Sequence, residues 1–317
     1  MDEGYSSAAM VALVTASLRR RGLPVSDGAR CEGPRVTLSA KRRLLAAVAA
    51  AYGESALILA GQAVAGGPFD PLGHALTSAP TPVECLARWG RLERYVHSRH
   101  RTIITSESSH GVRVRHSAPA GSPPVRHESL LVAGVLAGLL SAQGCVNVRL
   151  SLADGTALLD HGHLITGHVP PGPVDRFRLA WIPGTAHPPG EPPHPAPPPE
   201  AGRGPVTGAA LRRVLADTTR RWTVGELATA GGMSARTLQR RLHEEGSSFS
   251  SVVAAARVIR ASMLLGNADV PLSTVGFLAG YADGPHFARE FARRTGASPG
   301  RYRTVITPTE TDHEPSL

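Results

Sequence analysis

The chain has 317 residues, 42% of them hydrophobic, and carries 34 Lys plus Arg against 25 Asp plus Glu for a formal net charge of +9. That length holds two domains of ordinary size, and the basic balance favours a polyanionic partner. Three cysteines (Cys31, Cys85 and Cys145), far apart and odd in number, exclude a disulfide framework or a zinc-ligand spacing, and no apolar run reaches the ~20 residues of a membrane span, the longest being Ser129 to Ala142.

Residues 6 to 22 read as a helix, with Met10, Val11, Leu13, Val14 and Leu18 apolar and Gly22 as its stop. This run is interrupted, preceded by acids and followed by Arg19-Arg20-Arg21, which is not the pattern of a secretory leader. A reducing cytoplasm, at the nucleoid, is the expected setting, with no membrane partner. Ser39 to Tyr52 reads as a second helix with Leu44, Leu45 and Val48 inward, and Ser55 to Ala65 as a third. Phe69-Asp70-Pro71-Leu72-Gly73 is a turn-rich lead-in. Thr81 then caps a helix with Pro82 in its first position, which suits proline because the N–H it lacks has no helical partner there. That helix should reach about Arg99, with Leu86, Trp89, Leu92 and Val96 inside.

Ile103 to Thr105 and Gly111 to His116 read as strands, the second alternating Val112 and Val114 with Arg113 and Arg115. Arg126 to Gln143 reads as a buried helix, Val146 to Leu152 as an alternating strand and Phe177 to Ile182 as a last strand. Residues 1 to 182 therefore read as an α+β domain. Residues 183 to 206, PGTAHPPGEPPHPAPPPEAGRGPV, are proline-rich without periodicity and read as an extended linker that spans ~70 Å at ~3.1 Å per residue.

Residues 207 to 305 hold 14 Arg against 7 acids. Elsewhere the excess of Arg over a single lysine, Lys41, together with abundant Ala, Gly and Pro, reads as the codon bias of a GC-rich genome. Within 207 to 305 one small unit occurs twice. In the first copy, Thr223 to His243, Thr223 and Glu226 have capping-box spacing, Val224, Leu227 and Ala228 share a face, and Ala230-Gly231-Gly232 breaks the helix. Ser234 caps a second helix with Leu238 and Leu242 inward and Arg236, Gln239 and Arg240 outward. In the second copy, Pro271 to Arg294, Leu272, Val275, Leu278 and Ala279 make the apolar face and Gly280-Tyr281 the turn. Asp283 caps a helix with Phe287 and Phe291 inward and His286, Arg289 and Arg293 outward. Helix, tight turn and basic-faced helix is the plan of a helix-turn-helix DNA reader. Between the copies Phe249 to Leu265 reads as one apolar-sided helix ~25 Å long, the scale needed to hold two reading helices one duplex turn, ~34 Å, apart. Residues 306 to 317 read as a disordered tail.

The phrases MSARTLQRRLHEEG (233 to 246) and GYADGPHFAREFARRTGASPGRYR (280 to 303) carry a resemblance. The second closes in Gly296, Ser298, Pro299, Tyr302 and Arg303. The region resembles the DNA-binding domain of the AraC/XylS family of bacterial transcription regulators. This implies an all-α C-terminal domain of seven helices, with two helix-turn-helix units joined by a long linker helix, that binds adjacent major grooves of double-stranded operator DNA. Leu-Gly-x-Ala-Leu-x-Ser-Ala-Pro-Thr at 72 to 81 is similar to the N-terminal effector domain of the ornithine-utilisation branch of the same family, over about residues 8 to 100. The likeness weakens beyond, so this half stands as a truncated or divergent version. What it implies is a small-molecule effector or a homodimer contact in the N-terminal half, and RNA polymerase as a partner if the protein is an activator.

The resemblance places DNA contacts at Arg236, Gln239 and Arg240 in the first unit. The chemistry agrees: Arg bonds a guanine edge with two parallel bonds and Gln does so with adenine. In the second unit the matching positions are Gly284, Pro285, His286 and Arg289. Gly and Pro offer no bidentate reading, so this unit should grip backbone more than bases, with Arg289 as its main reader. The bland alternatives are a solvated helix face for the first set and a plain surface residue for His286. Arg241 and Arg257 read as phosphate contacts or surface, and Trp89 and Trp181 as core. His161, His163 and His168 match no standard ligand spacing, so neither a metal nor a cofactor is expected.

No Gly-x-Ser-x-Gly elbow and no Walker-type phosphate loop occurs. None of the cysteines has the Pro-Cys-His-Arg context of the alkylated-DNA repair proteins in the wider family, so an enzyme is not expected. The expected function is a sequence-specific transcription regulator modulated by a small molecule. The alternative is a constitutive regulator or an architectural DNA binder whose N-terminal half only oligomerises.

Overall fold

The computed structural model describes residues 5–7, 11, 14–15, 17–19, 22, 35–63, 76–77, 79–96, 100–118, 123–165, 167–184, 204–267 and 269–307. They fall into two compact units. In the N-terminal unit β1 (Tyr5–Ser7) pairs antiparallel with β2 (Arg35–Thr37). The Thr37 side chain accepts the Ala40 N–H and so caps α1 (Leu38–Tyr52). α2 (Ser55–Gln62), α3 (Pro82–Val96) and α4 (Arg126–Ala142) are the other helices of this unit with described bounds. β3 (Arg101–Ser108), β4 (Gly111–Ser117), β5 (Val146–Leu152), β6 (Ala157–Asp160), β7 (His163–Leu164) and β8 (Arg176–Ile182) form one six-stranded sheet in the order β3-β4-β8-β5-β6-β7. Side chains alternate across a strand. Val112, Val114, Val148, Leu150, Phe177, Leu179 and Trp181 accordingly face the core, while Arg113, Arg115, Arg149, Arg176 and Arg178 face solvent.

α4 is apolar almost all round, and every residue from Glu128 to Leu140 is buried. It packs against α1, α2, α3 and the sheet at once, which is what such a helix requires. Its crossing with α2 is close because glycine lies on both sides. A Cβ on Gly61 would fall on the Leu131 carbonyl oxygen, and a Cβ on Gly134 on the Ile58 carbonyl oxygen. The glycine that interrupts the apolar run of the sequence is thus the point of contact.

The C-terminal unit is helical: α5 (Pro205–Ala216), α6 (Val224–Ala230), α7 (Ala235–Glu244), α8 (Phe249–Leu265), α9 (Leu272–Leu278), α10 (Gly284–Thr295) and α11 (Pro299–Ile306). Val252, Ala256 and Ile259 of α8 share a core with Leu211, Val214, Leu227, Leu238 and Leu242 of α5, α6 and α7. α8 also packs against α9, α10 and α11. There a chain of rings, Tyr281, Phe287, Phe291 and Tyr302, runs at centroid separations of 5.3, 5.5 and 5.0 Å. Among the described residues no single helix is long and apolar enough to cross a membrane.

Several expectations shift. Residues 6 and 7, read as helix, lie in β1, where Ser6 pairs with Val36. The helical positions described in that segment are 11, 14, 15 and 17 to 19, and its other positions up to 21 lie outside the described residues. β3 runs to Ser108, well past Thr105, because it follows β4 along the hairpin; as an edge strand with no buried face it carries no alternation to read. β2, β6 and β7 are too short to signal in sequence. Pro205 and Val206, assigned to the linker, already form the first turn of α5, and Ile306, assigned to the tail, is the buried last residue of α11. Leu272 and Leu278, expected on the core face of α9, are exposed; the buried stripe narrows to Val275, Gly276 and Ala279. The Phe69–Gly73 lead-in, residues 64–65, 97–99 and 185–203, and the tail from 308 lie outside the described residues.

Gly134→Ala should destabilise the N-terminal unit by ~1–3 kcal/mol or more, because the new methyl meets backbone that has nowhere to go. Gly225→Ala, which has open space around it, should not destabilise. Urea unfolding of the two variants checks this; a Gly134→Ala chain as stable as wild type would contradict the close crossing.

Candidate nucleic-acid interface

The first reading helix is set by local bonds on both sides of its turn. The Thr223 hydroxyl accepts the Glu226 N–H at 3.2 Å, and the Glu226 carboxylate takes the Thr223 N–H and hydroxyl, each at 2.8 Å. Arg220 pairs with the same carboxylate at 2.9 Å. Together the Arg220 bond and the Thr223 bonds hold the Glu226 carboxyl down at about 2. The chain then turns through Gly232, at φ 68, a left-handed conformation that glycine adopts without strain. Ser234 caps α7 by accepting the Thr237 N–H at 3.2 Å. Leu238 and Leu242, 2% and 0% exposed, fasten one side of α7 to the core.

Arg236, Gln239 and Arg240 are exposed on the other side. Arg240 pairs with Glu244 at 2.6 Å, both side chains being more than half exposed. Such a surface pair contributes only ~0.3–0.5 kcal/mol, so it exchanges readily for a phosphate or a base edge. Among the described residues the side chains of Arg236 and Gln239 have no hydrogen-bond or ion-pair partner.

Glu245, one residue past α7, accepts the N–H groups of Val206 and Thr207 at 3.1 and 2.7 Å. A carboxylate there satisfies free donors at the start of α5 and complements its dipole. This bond anchors the trailing end of the reading helix. No local signal in the sequence marks Glu245, because its partners stand 38 and 39 residues away.

The second unit depends on Gly280. It sits at φ 87, and a Cβ there would fall on the Thr218 carbonyl oxygen. Tyr281 follows, 4% exposed, with its ring against His286 at 5.5 Å and beneath the Arg257 guanidinium at 5.9 Å. Arg257 is therefore half-buried and packs on Tyr281, which sets aside the plain surface residue among its two expected readings. Asp283 caps α10 by accepting the His286 N–H at 2.6 Å. Phe287 and Phe291 are buried, and Gly284, Pro285, His286 and Arg289 are exposed. Glu290 engages both Arg293, at 2.8 Å, and Arg294. The Arg289 side chain is left without a partner among the described residues.

A second cluster, not anticipated, lies inside the N-terminal unit. Lys41, the chain's single lysine, is 4% exposed, with its Nζ 3.5 Å from Glu128 Oε1. Arg42 reaches Glu128 Oε2 at 3.2 Å and His100 Nδ1 lies 3.7 Å from it. His116 bonds Ser129 Oγ at 3.1 Å and meets the His100 ring edge-on. Burial pushes Lys41 and His116 below their usual values. Burial pushes Glu128 up, but Lys41 and the Val125 N–H outweigh it and leave the carboxyl lowered. Glu93, which takes the Thr102 hydroxyl at 2.8 Å, is pushed up by burial to about 7. No His/Cys/Asp/Glu group among the described residues could hold a metal ion. Cys85 and Cys145 are free and buried. Burial raises their thiols to about 12 and about 11, the reverse of what a nucleophilic thiol requires.

Residues 227–304 match the family described as a helix-turn-helix domain. Residues 14–152 match the arabinose-binding domain of the AraC transcription regulator, N-terminal. The second match passes residue 100, where the likeness seen in sequence fades, and ends with β5. The chain is similar to the HTH-type transcriptional regulator RipA of Corynebacterium glutamicum, 45% identical over 80 residues, 25% of this chain and 24% of that protein. It is similar to the transcriptional activator NphR of Rhodococcus, 36% identical over 81 residues, 26% of this chain and 24% of that protein. The C-terminal domain of AraT, a response regulator from Geobacillus stearothermophilus, aligns with a TM-score of 0.31 and 25% identity over 35% of this chain and 94% of that one. The matched segments span 24–34% of the length of these and the other leading curated relatives.

Glu93→Gln tests the buried cluster. A carboxyl raised from 4.5 to about 7 binds its proton more tightly in the folded chain. Its contribution is complete below about 4.5 and is lost as pH rises through about 7, at up to ~1.4 kcal/mol per pH unit. The unfolding free energy of wild type minus that of Glu93→Gln should therefore fall between pH 5 and pH 8. A difference that does not change with pH would contradict the assignment.

Proposed function

The chain belongs to the AraC/XylS family of transcription regulators, and from that premise we propose that it is a sequence-specific regulator whose helices α7 and α10 enter successive major grooves of operator DNA. The observation that carries this reading is the face of α7. Arg236, Gln239 and Arg240 are exposed together while Leu238 and Leu242 hold the opposite side in the core. Arg236 and Arg240 have the geometry for guanine O6 and N7, and Gln239 for adenine N6 and N7. On α10 the small first turn at Gly284 and Pro285 admits close approach to backbone, His286 adds a donor, and Arg289 is the base reader. Arg241, exposed on α7, contacts phosphate.

In this reading residues 1 to 182 form an effector and dimerisation domain, the linker runs from 183 to 204, and the reader extends from 205 to 306. The match of residues 14–152 to an arabinose-binding domain supports a small-molecule effector in the first half. RNA polymerase is a partner if the protein activates, a homodimer is the operating form, and the cytoplasmic nucleoid is its place. No catalytic residue, metal or cofactor enters the mechanism.

Selection of preferred sites from random duplex DNA, followed by gel shifts with variants, tests this. The selected site should contain two boxes about one turn apart. Arg236→Ala and Arg240→Ala should each cost ~1–3 kcal/mol and relax base preference in one box, and Arg289→Ala should do so in the other. Arg241→Ala should weaken all sequences alike and lower the salt slope by ~1. Unchanged base preference in both α7 variants would remove that helix from the reading.

A further inference from the structure

The solvent face of the N-terminal sheet carries arginines in opposed pairs. In the β4–β8 register Arg113 stands directly across from Arg178, and Arg115 across from Arg176. All four are exposed, and among the described residues none of their side chains has an ion-pair or hydrogen-bond partner. Their neighbours in the same rows are Ser106 and Ile103 on β3 and Ser151 on β5, so no acid interrupts the group. The next row holds Arg149, whose pairing with Asp160 at 2.8 Å is the one ion pair formed by this face of β4, β8 and β5 among the described residues.

Like charges directly opposite on a sheet destabilise it. Strands lie roughly 4.8 Å apart and residues two positions apart on one face are separated by roughly 6.7 Å, so the four arginines spring from a patch of backbone less than about a nanometre across. An arginine-rich genome raises the number of arginines on every surface, but it does not place them across from one another in rows free of acids. Duplex DNA, with one negative charge per ~1.7 Å of axis, is the polyanion that complements such a grid, and arginine forks bind phosphate through paired N–H groups.

We propose that this sheet face is a second DNA-binding surface, which grips phosphate backbone outside the two boxes read by α7 and α10. The inference rests on the operator reading above for its source of DNA. It assigns the N-terminal unit a sequence-independent contact, made intramolecular once the reader has docked. Arg113, Arg115, Arg176 and Arg178 are its phosphate contacts and carry no base information.

The test compares full-length wild type with the quadruple variant Arg113→Ser, Arg115→Ser, Arg176→Ser, Arg178→Ser. Binding is measured across salt concentrations on the selected duplex and on the same duplex extended by about thirty base pairs of arbitrary sequence on each side. Wild type should bind the longer duplex more tightly and with the steeper salt dependence. In the variant the salt slope on the long duplex should fall by ~0.9 for each phosphate that is no longer neutralised, up to ~3.6, with binding to the short duplex unchanged. The corresponding quadruple Lys variant should keep most of the slope, which separates loss of charge from loss of fold. Equal slopes for wild type and the Ser variant on the long duplex would overturn the proposal. So would loss of binding to phosphatidylserine-containing vesicles with no change on DNA, which would assign the face to a membrane surface. The operator reading is judged separately, by Arg236→Ala on the short duplex, so either can fail alone.

Discussion

Burial of α8 on more than one side is the constraint on which the C-terminal unit depends. Helices of seven residues such as α6 and α9 are not stable alone, because nucleating a turn costs more than so few bonds return. α6 becomes rigid by packing on α7 and α5, in a core that Val252, Ala256 and Ile259 of α8 complete, and α9 by packing on α8 and α10 beside the Tyr281–Phe287–Phe291–Tyr302 ring chain. Once both pairs share that helix, the position of one reading helix fixes the position of the other. The tie from Glu245 to the start of α5 and the seat of Gly280 on Thr218 remove what freedom remains at the ends.

Within that frame the acids engage some arginines and leave others without an ion pair. Seven acids face fourteen arginines in this half of the chain, and their placement is selective. Glu226 holds Arg220 beside a cap, and Glu290 holds both Arg293 and Arg294. Among the described residues, Arg236 and Arg241 on α7 and Arg289 on α10 are exposed without an ion pair, and Arg240 has only its weak pair with Glu244. An exposed arginine with no internal partner gives up little when it meets a phosphate or a base edge, which is what the proposed reading asks of these side chains.

The N-terminal unit separates its charges differently. Its interior holds a lysine, two histidines and two glutamates around α4, each nearly or fully buried. A buried pair such as Lys41–Glu128 adds little net stability, yet losing one partner is costly, so the group pins α1 to α4 in one arrangement. Outside, the sheet leaves its arginines facing one another without acids between them. The first arrangement is compensated by buried partners and the second only by solvent, so the outer face is the one left open to an anionic partner.

Most of the reader was legible in the sequence because its signals are local. Thr223 with Glu226, Ser234 with Thr237, Asp283 with His286, Leu238 with Leu242 and Phe287 with Phe291 all act over three or four residues, the reach of one helical turn. The alternation of β4 was legible for the same reason, and with it the outward set of Arg113 and Arg115. Tertiary structure alone decided the rest. Lys41 finds Glu128 across 87 positions of chain, Gly61 meets the α4 backbone beside Gly134, Glu245 reaches back to Val206 and Thr207, and Arg113 and Arg115 acquire Arg178 and Arg176 as opposites. Periodicity states which side of an element is apolar. It does not state which distant element will cover that side, and every one of these contacts is a consequence of that choice.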